Sequence, residues 1–599
     1  MSSFWEASDK IPISQKSVSV PSQNGLVYSG GQRIVIDIPK SIEYIQPKES
    51  YLKFDVKLKY PTPAILAAGK GATYLQLDET LGGQALIKDI RIYSGGSGKI
   101  LLEEYQDYNV LTNVKYSYET NDVLRAKRAL TEGSTCHSVQ NRGTCGTTES
   151  NKNSIDTNPY FKIPGYTNAD LLDDTAFQTV SCLLPINTGL FGSAKVLPVL
   201  LTEGLVLDII LEEPGKVVRQ LDQNRLNTRF LSKPIYHSAD GAIGGAGTPT
   251  VLNVAVPSVF ITADNSMTAQ SKVPFGIGEH VSFAARVAIA APVVYAIGEE
   301  LQGVAVGAEF IIDTISAPDA NGLIEITFAG AGGTSTTTPL VPEEWVMFSK
   351  ATSAPVWDTL SYTVSNVEMI IQQLEMPQGY TQKMMSMMKE GGSMNYDFLS
   401  FTNYKYSQLA SDIVANIRLP LNMSRAKSIL SVATDATSYS THQRISGTGT
   451  YETFKSKSTT PTPNFLESSD KSGLVGISDF LTEYQFFYSG KLNPSRKVSC
   501  SETSSQVSIS QQPLIELEKA LVMAGIVPYS FREFQNNFVI GRALSLHNGV
   551  YDTRGKDFNL QLEYTGGGDN IPTKNKLWCN FVGHLRRIVF TGDGIRLEV

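Results

Sequence analysis

The chain has 599 residues, of which 41% are hydrophobic and 18% charged, and its formal net charge is -7. The length exceeds what one hydrophobic core usually supports, so we expect about two to four domains. The negative charge argues against a bulk nucleic-acid binder, because phosphates are neutralised by clustered Lys and Arg, and five cysteines are too few for a disulfide framework.

The first residues of the chain predict a polar arm. The opening, MSSFWEASDKIP, lacks the basic and apolar regions of a signal peptide. Residues 1–23 are polar and aperiodic, which is typical of an arm that a neighbouring subunit orders. No run in the chain approaches the ~20 apolar residues of a membrane helix. We therefore expect a soluble product of a reducing compartment.

Strict alternation then predicts strands. In Arg33–Ile38 and Tyr51–Leu58 every second residue is large and apolar, so each strand has one face in a core. Ala85–Tyr93 predicts a further strand, Ser94–Gly98 a turn, and Glu103–Val114 a short amphipathic helix. A polar loop is expected from about residue 133 to 173.

The densest apolar stretch runs from Cys182 to Glu213. Its Pro and Gly residues divide it into pieces too short for long helices. Its last part alternates, which predicts a strand with Leu207 and Ile209 facing a core and Asp208 facing away. We interpret this stretch as two or three buried strands joined by tight turns.

The middle of the chain changes in composition. Residues 231–357 are rich in Ala, Gly, Val and Thr and predict short strands with tight turns, as in a small inserted β-barrel. Strand character returns over 358–376, and residues 377–391 predict a helix whose methionines share one face. Methionines at this spacing are more typical of core packing than of a cofactor site. We interpret the helix as a linker between two large domains.

The last part, 392–599, predicts a second β domain. Alternation at Phe558–Tyr564 indicates a strand, residues 433–472 a long polar loop, and Pro513–Ala524 a helix with Glu516, Lys519 and Ala520 outward. The order of elements resembles that of residues 24–230, although no residue-level repeat is visible.

The sequence contains no recognisable catalytic or cofactor motif. The SGGSGKI segment at Ser94–Ile100 lacks the spacing of a phosphate-binding loop and favours a hairpin turn. Cys136, His137 and Cys145 lie in one polar loop, but a tetrahedral zinc takes four ligands and no fourth is nearby. Free thiols are favoured there, and whether Cys136 and Cys145 pair stays open. Neighbouring carboxylates such as Glu103 and Glu104 face opposite sides of a strand, so they form no catalytic pair.

Several segments in a fixed order resemble a known family. They are GGQRIVIDIP, ESYLKFDVKL, GGQALIKDIRIYSGGSGKILLEEYQDYNVL, CLLPINTGLFGSAKVLPVLL and EGLVLDIIL, and then VPFGIGEHVSF, IDTISA and NGLIEITF. The pattern resembles the double jelly-roll major capsid proteins of virophages, polinton-like viruses and Polinton elements. It covers the first half of the chain well, and the second half agrees in element order.

The resemblance implies an all-β fold of two tandem eight-stranded antiparallel jelly rolls, with a small β-barrel insertion in the first and short helices. The domains would be an arm (1–23), the first roll (24–230 and 358–376), the insertion (231–357), the linker (377–391) and the second roll (392–599). It implies a homotrimer forming a pseudo-hexagonal capsomer of an icosahedral virion, assembled inside an infected eukaryotic cell. Partners would be neighbouring capsomers, penton and minor capsid proteins, without sequence-specific nucleic-acid binding, cofactor or metal. The alternatives are a carbohydrate-binding β-sandwich protein and a minor capsid or spike protein.

Overall fold

The fold is taken from a computed structural model of the chain. It describes residues 14–59, 73–78, 80–96, 98–119, 121–134, 179–222, 361–436, 473–488, 490–500, 511–529, 537–544, 549–564 and 575–598. It also describes strands at 236–237, 250–255, 280–287, 294–296, 310–315, 323–329, 345–349, 444–445 and 450–452. Cys136, His137 and Cys145 lie outside these residues.

Strands dominate the described chain. Before residue 230 they are β1 (Ser14–Pro21), β2 (Val27–Ser29), β3 (Arg33–Ile38), β4 (Tyr44–Ile45), β5 (Tyr51–Lys59), β6 (Thr73–Leu77), β7 (Ile87–Ser94), β8 (Leu101–Tyr105), β9 (Thr179–Pro185), β10 (Leu197–Pro198), β11 (Leu205–Leu211) and β12 (Val218–Asp222). The middle strands are β13 (Tyr236–His237), β14 (Thr250–Ala255), β15 (His280–Val287), β16 (Val294–Ala296), β17 (Phe310–Ile315), β18 (Leu323–Ala329) and β19 (Trp345–Ser349). The remaining strands are β20 (Ser361–Glu375), β21 (Met394–Gln408), β22 (Val414–Leu419), β23 (Ala426–Asp435), β24 (Arg444–Ile445), β25 (Thr450–Glu452), β26 (Leu481–Tyr488), β27 (Lys491–Ser499), β28 (Ile540–Ala543), β29 (Phe558–Tyr564), β30 (Lys576–Thr591) and β31 (Gly594–Glu598).

The helices are short and lie mainly between the strands. They are α1 (Tyr108–Tyr118), α2 (Asp122–Thr131), α3 (Pro214–Val217), α4 (Gln378–Lys389) and α5 (Gln511–Met523). Short 3-10 helices occur at Lys40–Ile42, Pro47–Glu49 and Gly82–Leu86.

The first unit is a jelly roll by its strand order. One sheet has β1 and β2 paired with β20, followed by β5 and β9, and the other has the order β3-β11-β7-β8. When the eight main strands are lettered B to I along the chain, with β1 and β2 together as B, these sheets are B-I-D-G and C-H-E-F. That is the double-sheet arrangement of a jelly roll. Strand H is β11 and strand I is β20, so the residues between them are inserted between the last two strands.

The second unit repeats this order. Its sheets are β21-β30-β23-β28, with β31 added to β30, and β22-β29-β26-β27. Lettered along the chain, these sheets are again B-I-D-G and C-H-E-F. The fold is therefore two tandem eight-stranded antiparallel jelly rolls, here called roll 1 and roll 2.

The alternating apolar residues form the cores as predicted. Ile34, Ile36 and Ile38 of β3 are buried, and Leu207 and Ile209 of β11 pack in the same core. In register, Leu207 lies between Ile36 and Ile92 of the adjacent strands. The opposite face of β11 is also covered, since Val206 and Asp208 are buried and Asp208 pairs with Arg33.

The inserted strands differ from the predicted β-barrel. Their sheet has the order β13-β14-β18-β17-β15-β16-β25, with β19 beside β15. Among the described strands β13 and β25 form the two ends of this order and do not pair with each other, so the sheet is open. Barrel closure requires such a pairing. Strand β25 comes from roll 2, within the predicted polar loop 433–472, so the sheet joins segments of both halves of the chain.

Three local predictions were wrong. Ser14–Pro21, predicted as part of an arm, forms strand B, paired with β20 over its whole length. Glu103 lies in β8 and not in a helix, because β8 continues its ladder with β7 to Tyr105, and α1 begins only at Tyr108. Ala520 of α5, predicted to point outward, faces inward and packs on Gly541 of β28, where the missing side chain leaves room.

Candidate assembly interface

Roll 1 and roll 2 meet along a largely buried surface, here called the seam. Glu103 of β8 lies at its centre and is fully buried. Its two carboxylate oxygens accept hydrogen bonds from the backbone amides of Gly189 and Leu190, both at 2.9 Å. Burial raises the pKa of Glu103, while the Leu190 amide, Ser400 and the charge of Arg586 lower it in part. Glu103 thus fixes the loop after β9 beside strand β21 of roll 2.

Gly189 brings that loop into direct backbone contact with roll 2. A Cβ atom at this position would lie 1.9 Å from the carbonyl oxygen of Leu399. Nearby, Lys195 donates to the carbonyl of Asp397 at 3.3 Å, and Tyr396 donates to the carbonyl of Lys195 at 3.1 Å. The backbones of the two rolls are therefore in contact here without intervening side chains.

A second polar group crosses the seam after β8. Asp107 has a left-handed backbone (φ 51°) and is nearly fully buried. Its carboxylate accepts from Lys405 at 2.6 Å and from Asn403 at 2.8 Å. Although burial alone lowers the pKa of Lys405, its hydrogen bond to Asp107 raises that pKa overall. Between these polar groups Tyr105 packs edge-on against Phe401.

Roll 2 contributes a buried histidine near this surface. His584 lies in β30 and its Nε2 is 3.0 Å from the hydroxyl of Thr402. The pKa of His584 is lowered to about 4, mainly by burial and in part by the charges of Arg586 and Arg425. His584 is therefore neutral at neutral pH.

The connections between strands F and G of the two rolls also meet. In roll 1 this connection contains α1 and α2, and in roll 2 it contains α5 and the residues that follow it. Asn537 donates to Asn113 at 3.0 Å and to Ser117 at 2.9 Å, and its carbonyl accepts from Tyr118 at 2.8 Å. The Tyr529 amide donates to the carbonyl of Tyr118 at 2.9 Å. Corresponding segments of the two rolls thus bind each other within one chain.

The linker helix α4 packs on both rolls. The hydroxyl of Tyr44 in roll 1 is 2.9 Å from that of Thr381, and its ring meets Tyr380 edge-on. Met384 and Met388 are buried, and a Cβ atom on Gly592 of roll 2 would lie 2.9 Å from the carbonyl oxygen of Met388. The methionine face therefore serves core packing, as predicted.

In contrast to α1, helix α5 carries exposed apolar side chains. Ile515 is 49% exposed and Val522 57%, and their spacing of seven places them on one face of the helix. Val527 and Tyr529, which follow the helix, are 54% and 61% exposed. These four residues are here called the α5 patch. Several exposed apolar side chains in one segment of the chain are typical of protein interaction sites.

The structure also places the residues considered for chemistry. Cys182 is buried and its pKa is raised, first by desolvation, so it is no nucleophile. The segment after Ser94 is a turn between β7 and β8, in which the Ser94 amide donates to the carbonyl of Ile100 at 2.9 Å. Glu103 and Glu104 point to opposite sides, since Glu104 pairs with Arg91.

Within the described ranges no three His, Cys, Asp or Glu side chains form a possible metal site, and no helix there is long and apolar enough to cross a membrane.

Sequence reasoning missed the residues of the seam. Glu103, Asp107 and Asn537 are polar residues whose partners lie far along the chain, and nothing in their neighbourhoods marks them. In LLEEY, Leu102 and Glu103 lie on opposite faces of β8, and the structure shows that both are buried. A carboxylate in a strand is ordinarily typical of a face exposed to water, so the sequence does not reveal that roll 2 covers Glu103.

Comparisons with known proteins found matches among solved structures. No protein-family model and no curated protein matches the chain. Among solved structures it is similar to the Faustovirus major capsid protein (8% identity, 99% of this chain and 92% of that chain, TM-score 0.45). It is also similar to a PBCV-1 capsid model (9%, 100% and 99%, 0.40) and to the mavirus major capsid protein (9%, 99% and 93%, 0.36). Because the sequence identities and TM-scores are low, the fold is assigned from the strand order of the two rolls. The chain is a double jelly-roll protein.

Proposed function

We propose that this chain is the major capsid protein of a double-stranded DNA virus or virophage-like element, with a structural and not an enzymatic role. The observation that carries the proposal is the pairing of two jelly rolls of the same strand order along an extensive seam. Such a chain presents two similar jelly rolls to its neighbours. A repeated unit of this kind is more typical of a protein that assembles into a shell than of a protein with a single binding site.

The α5 patch supports a homotrimer. Inside the chain, the F–G connection of roll 1 binds the F–G connection of roll 2 through Asn113 and Tyr118. The corresponding helix of roll 2, α5, exposes Ile515 and Val522. A contact of α5 with roll 1 of a second copy would repeat the internal contact in approximate form. Head-to-tail contacts of this kind close into a ring when the rotation allows, and three chains give a ring of six rolls.

Such a ring has a pseudo-hexagonal outline and tiles a shell with neighbouring capsomers, penton and minor capsid proteins. We propose the domain division given by the sequence, with strand β1 added to roll 1. The insertion (231–357) and the loop 433–472 would then be decorations of the capsomer or contacts near its axis. Long insertions there are tolerated, because the entropy of loop closure rises only logarithmically with length.

The test is the oligomeric state and shape of the purified protein. Sedimentation and mass photometry should give a trimer, and negative-stain images should show a hexagonal outline. Ile515→Asp combined with Val522→Asp should give folded monomers, since the charges would be buried in the trimer contact. The matched control is Leu26→Asp, another exposed apolar position, outside the F–G connections, and it should remain trimeric.

A wild-type monomer without a hexagonal outline would contradict the capsomer proposal. Trimers that never tile would favour the minor capsid or spike protein. Binding of the monomer to a glycan array would favour the carbohydrate-binding protein.

A further inference from the structure

One end of the large sheet of roll 2 contains a buried row of reactive side chains. Lys576, the first residue of β30, lies opposite Gln408 of β21 on one side and opposite Asp435 of β23 on the other. All three residues are at most 5% exposed. Side chains directly opposite one another in adjacent strands point to the same face. The row therefore brings an amine and a carboxyl group together away from water.

A second carboxyl group reaches the same amine from a turn. Asp479 Oδ2 lies 2.5 Å from Lys576 Nζ, and the two side chains are 3% and 0% exposed. Asp479 and the adjacent Phe480 both have left-handed backbones, with φ of 41° and 65°. Such conformations are unfavourable for residues other than glycine, and they persist where the surrounding structure imposes them. The turn before β26 thus holds the Asp479 carboxyl group against the Lys576 amine, although the backbone of the turn is in an unfavourable conformation.

Aromatic residues enclose this pair. The Lys576 ammonium lies 4.8 Å from the centre of the Tyr564 ring. The Gln408 side-chain oxygen accepts from Trp578 Nε1 at 2.8 Å and from the Tyr564 hydroxyl at 3.3 Å. The amide of Gln408 is thereby held in place beside the amine, and the large rings keep water out.

We propose that Lys576 and Asp479 are joined by an intramolecular amide bond that forms after folding, with Asp435 as the proton relay. The bond would link β30 to the turn before β26, so it would tie together the two sheets of roll 2. This modification does not depend on a capsid role, because it rests only on groups within one jelly roll.

The reaction is a balanced condensation. Proton transfer from the Lys576 ammonium to the Asp479 carboxylate gives a neutral amine and a carboxylic acid. The Nζ lone pair then attacks Cγ of Asp479, the C–OH bond breaks, and water leaves. Asp435 accepts the proton that Nζ releases and delivers it to the departing hydroxyl, so Asp435 is regenerated. No oxidant, metal or co-reactant is consumed, and the amine and the carboxyl group are already in contact.

The experiment is intact-mass spectrometry of the full-length folded protein, followed by digestion and peptide sequencing. We expect a mass one water molecule below that of the sequence and a branched peptide joining the segments that contain Asp479 and Lys576. Lys576→Arg and Asp479→Ala should have full mass. Asp479→Asn should be lighter by one ammonia, since its carboxamide loses ammonia on condensation. Asp435→Asn should fold but have full mass, because the proton relay is missing and no water is lost.

Glu563→Gln is the matched control, because Glu563 forms an exposed ion pair with Lys497 in the same roll, and this variant should still lose one water. Wild-type protein of full mass, with a folded β-sheet circular dichroism spectrum and no branched peptide, would overturn the proposal. A water loss that persists in Lys576→Arg would indicate a cyclised aspartate and would overturn it equally.

Discussion

Asn537 of roll 2 donates a 3.0 Å hydrogen bond to Asn113 of roll 1, a residue 424 positions earlier in the chain. Both side chains are buried, and Asn537 also donates to Ser117 and accepts from the Gly476 amide. One amide group therefore connects helix α1 to two segments of roll 2.

We expect Asn537→Ala to lower the free energy of unfolding by about 1–3 kcal/mol, because the buried groups left behind lose their partners. Urea unfolding monitored by circular dichroism measures this. The control is Asn416→Ala on the exposed face of β22, which should change stability by less than about 0.5 kcal/mol. Equal stability of the two variants would show that the Asn537 contacts do not hold the rolls together.

The core face of strand H gives a second prediction. Leu207 is fully buried between Ile36 and Ile92. Leu207→Asp should destabilise roll 1 by several kcal/mol, roughly the whole stability of a domain, because the charge has no partner there. Soluble expression and thermal unfolding measure the effect. Val414→Asp, on an exposed position of β22, should stay soluble, and soluble trimeric Leu207→Asp protein would contradict the inward assignment.

The backbone contact at Gly189 gives a third prediction. The Gly189→Ala methyl group would overlap the Leu399 carbonyl, so the loop after β9 must move away from roll 2. We expect a loss of about 1–3 kcal/mol, as for other overpacked positions. Gly379→Ala in helix α4 meets nothing within 4 Å and should be neutral or stabilising by up to about 1 kcal/mol, owing to the better helix propensity of Ala. Differential scanning calorimetry of both variants compares them, and unchanged melting of Gly189→Ala would refute the close contact.

The fourth prediction concerns pH. The pKa of His584 is lowered to about 4 in the folded chain, whereas an unfolded histidine has a pKa near 6.5. The unfolded state therefore binds more protons between these values, so the contribution of His584 to stability is complete above pH ~6.5 and falls as the pH drops to ~4. The total change is roughly 3 kcal/mol.

Urea midpoints measured from pH 4 to pH 7 test this expectation. His584→Gln keeps a hydrogen-bonding group beside Thr402 but does not titrate, so its stability should decline less on acidification. Superimposable pH profiles of the wild type and His584→Gln would show that the histidine is not buried as a neutral group.

Local patterns in the sequence determined the strands and the class of fold. Ile34, Ile36 and Ile38 recur at every second position because one face of β3 lies in the core, and that period of two is readable from neighbouring residues alone. The strand at Phe558–Tyr564 is readable in the same way, and the methionine face of α4 is readable from its helical spacing. The order of such segments indicated two similar β units, and the resemblance to double jelly-roll capsid proteins implied that each is a jelly roll.

Only the tertiary structure decided which residues connect these elements. Ser14–Pro21 is mostly exposed, and its apolar alternation is limited to Val18 and Val20, so its strand is defined by the ladder with β20. The partners of Glu103, Asn113 and Lys576 are likewise chosen when separate surfaces pack together. A hydrogen bond or ion pair between distant residues has no period and no local spacing, so the sequence alone does not reveal it.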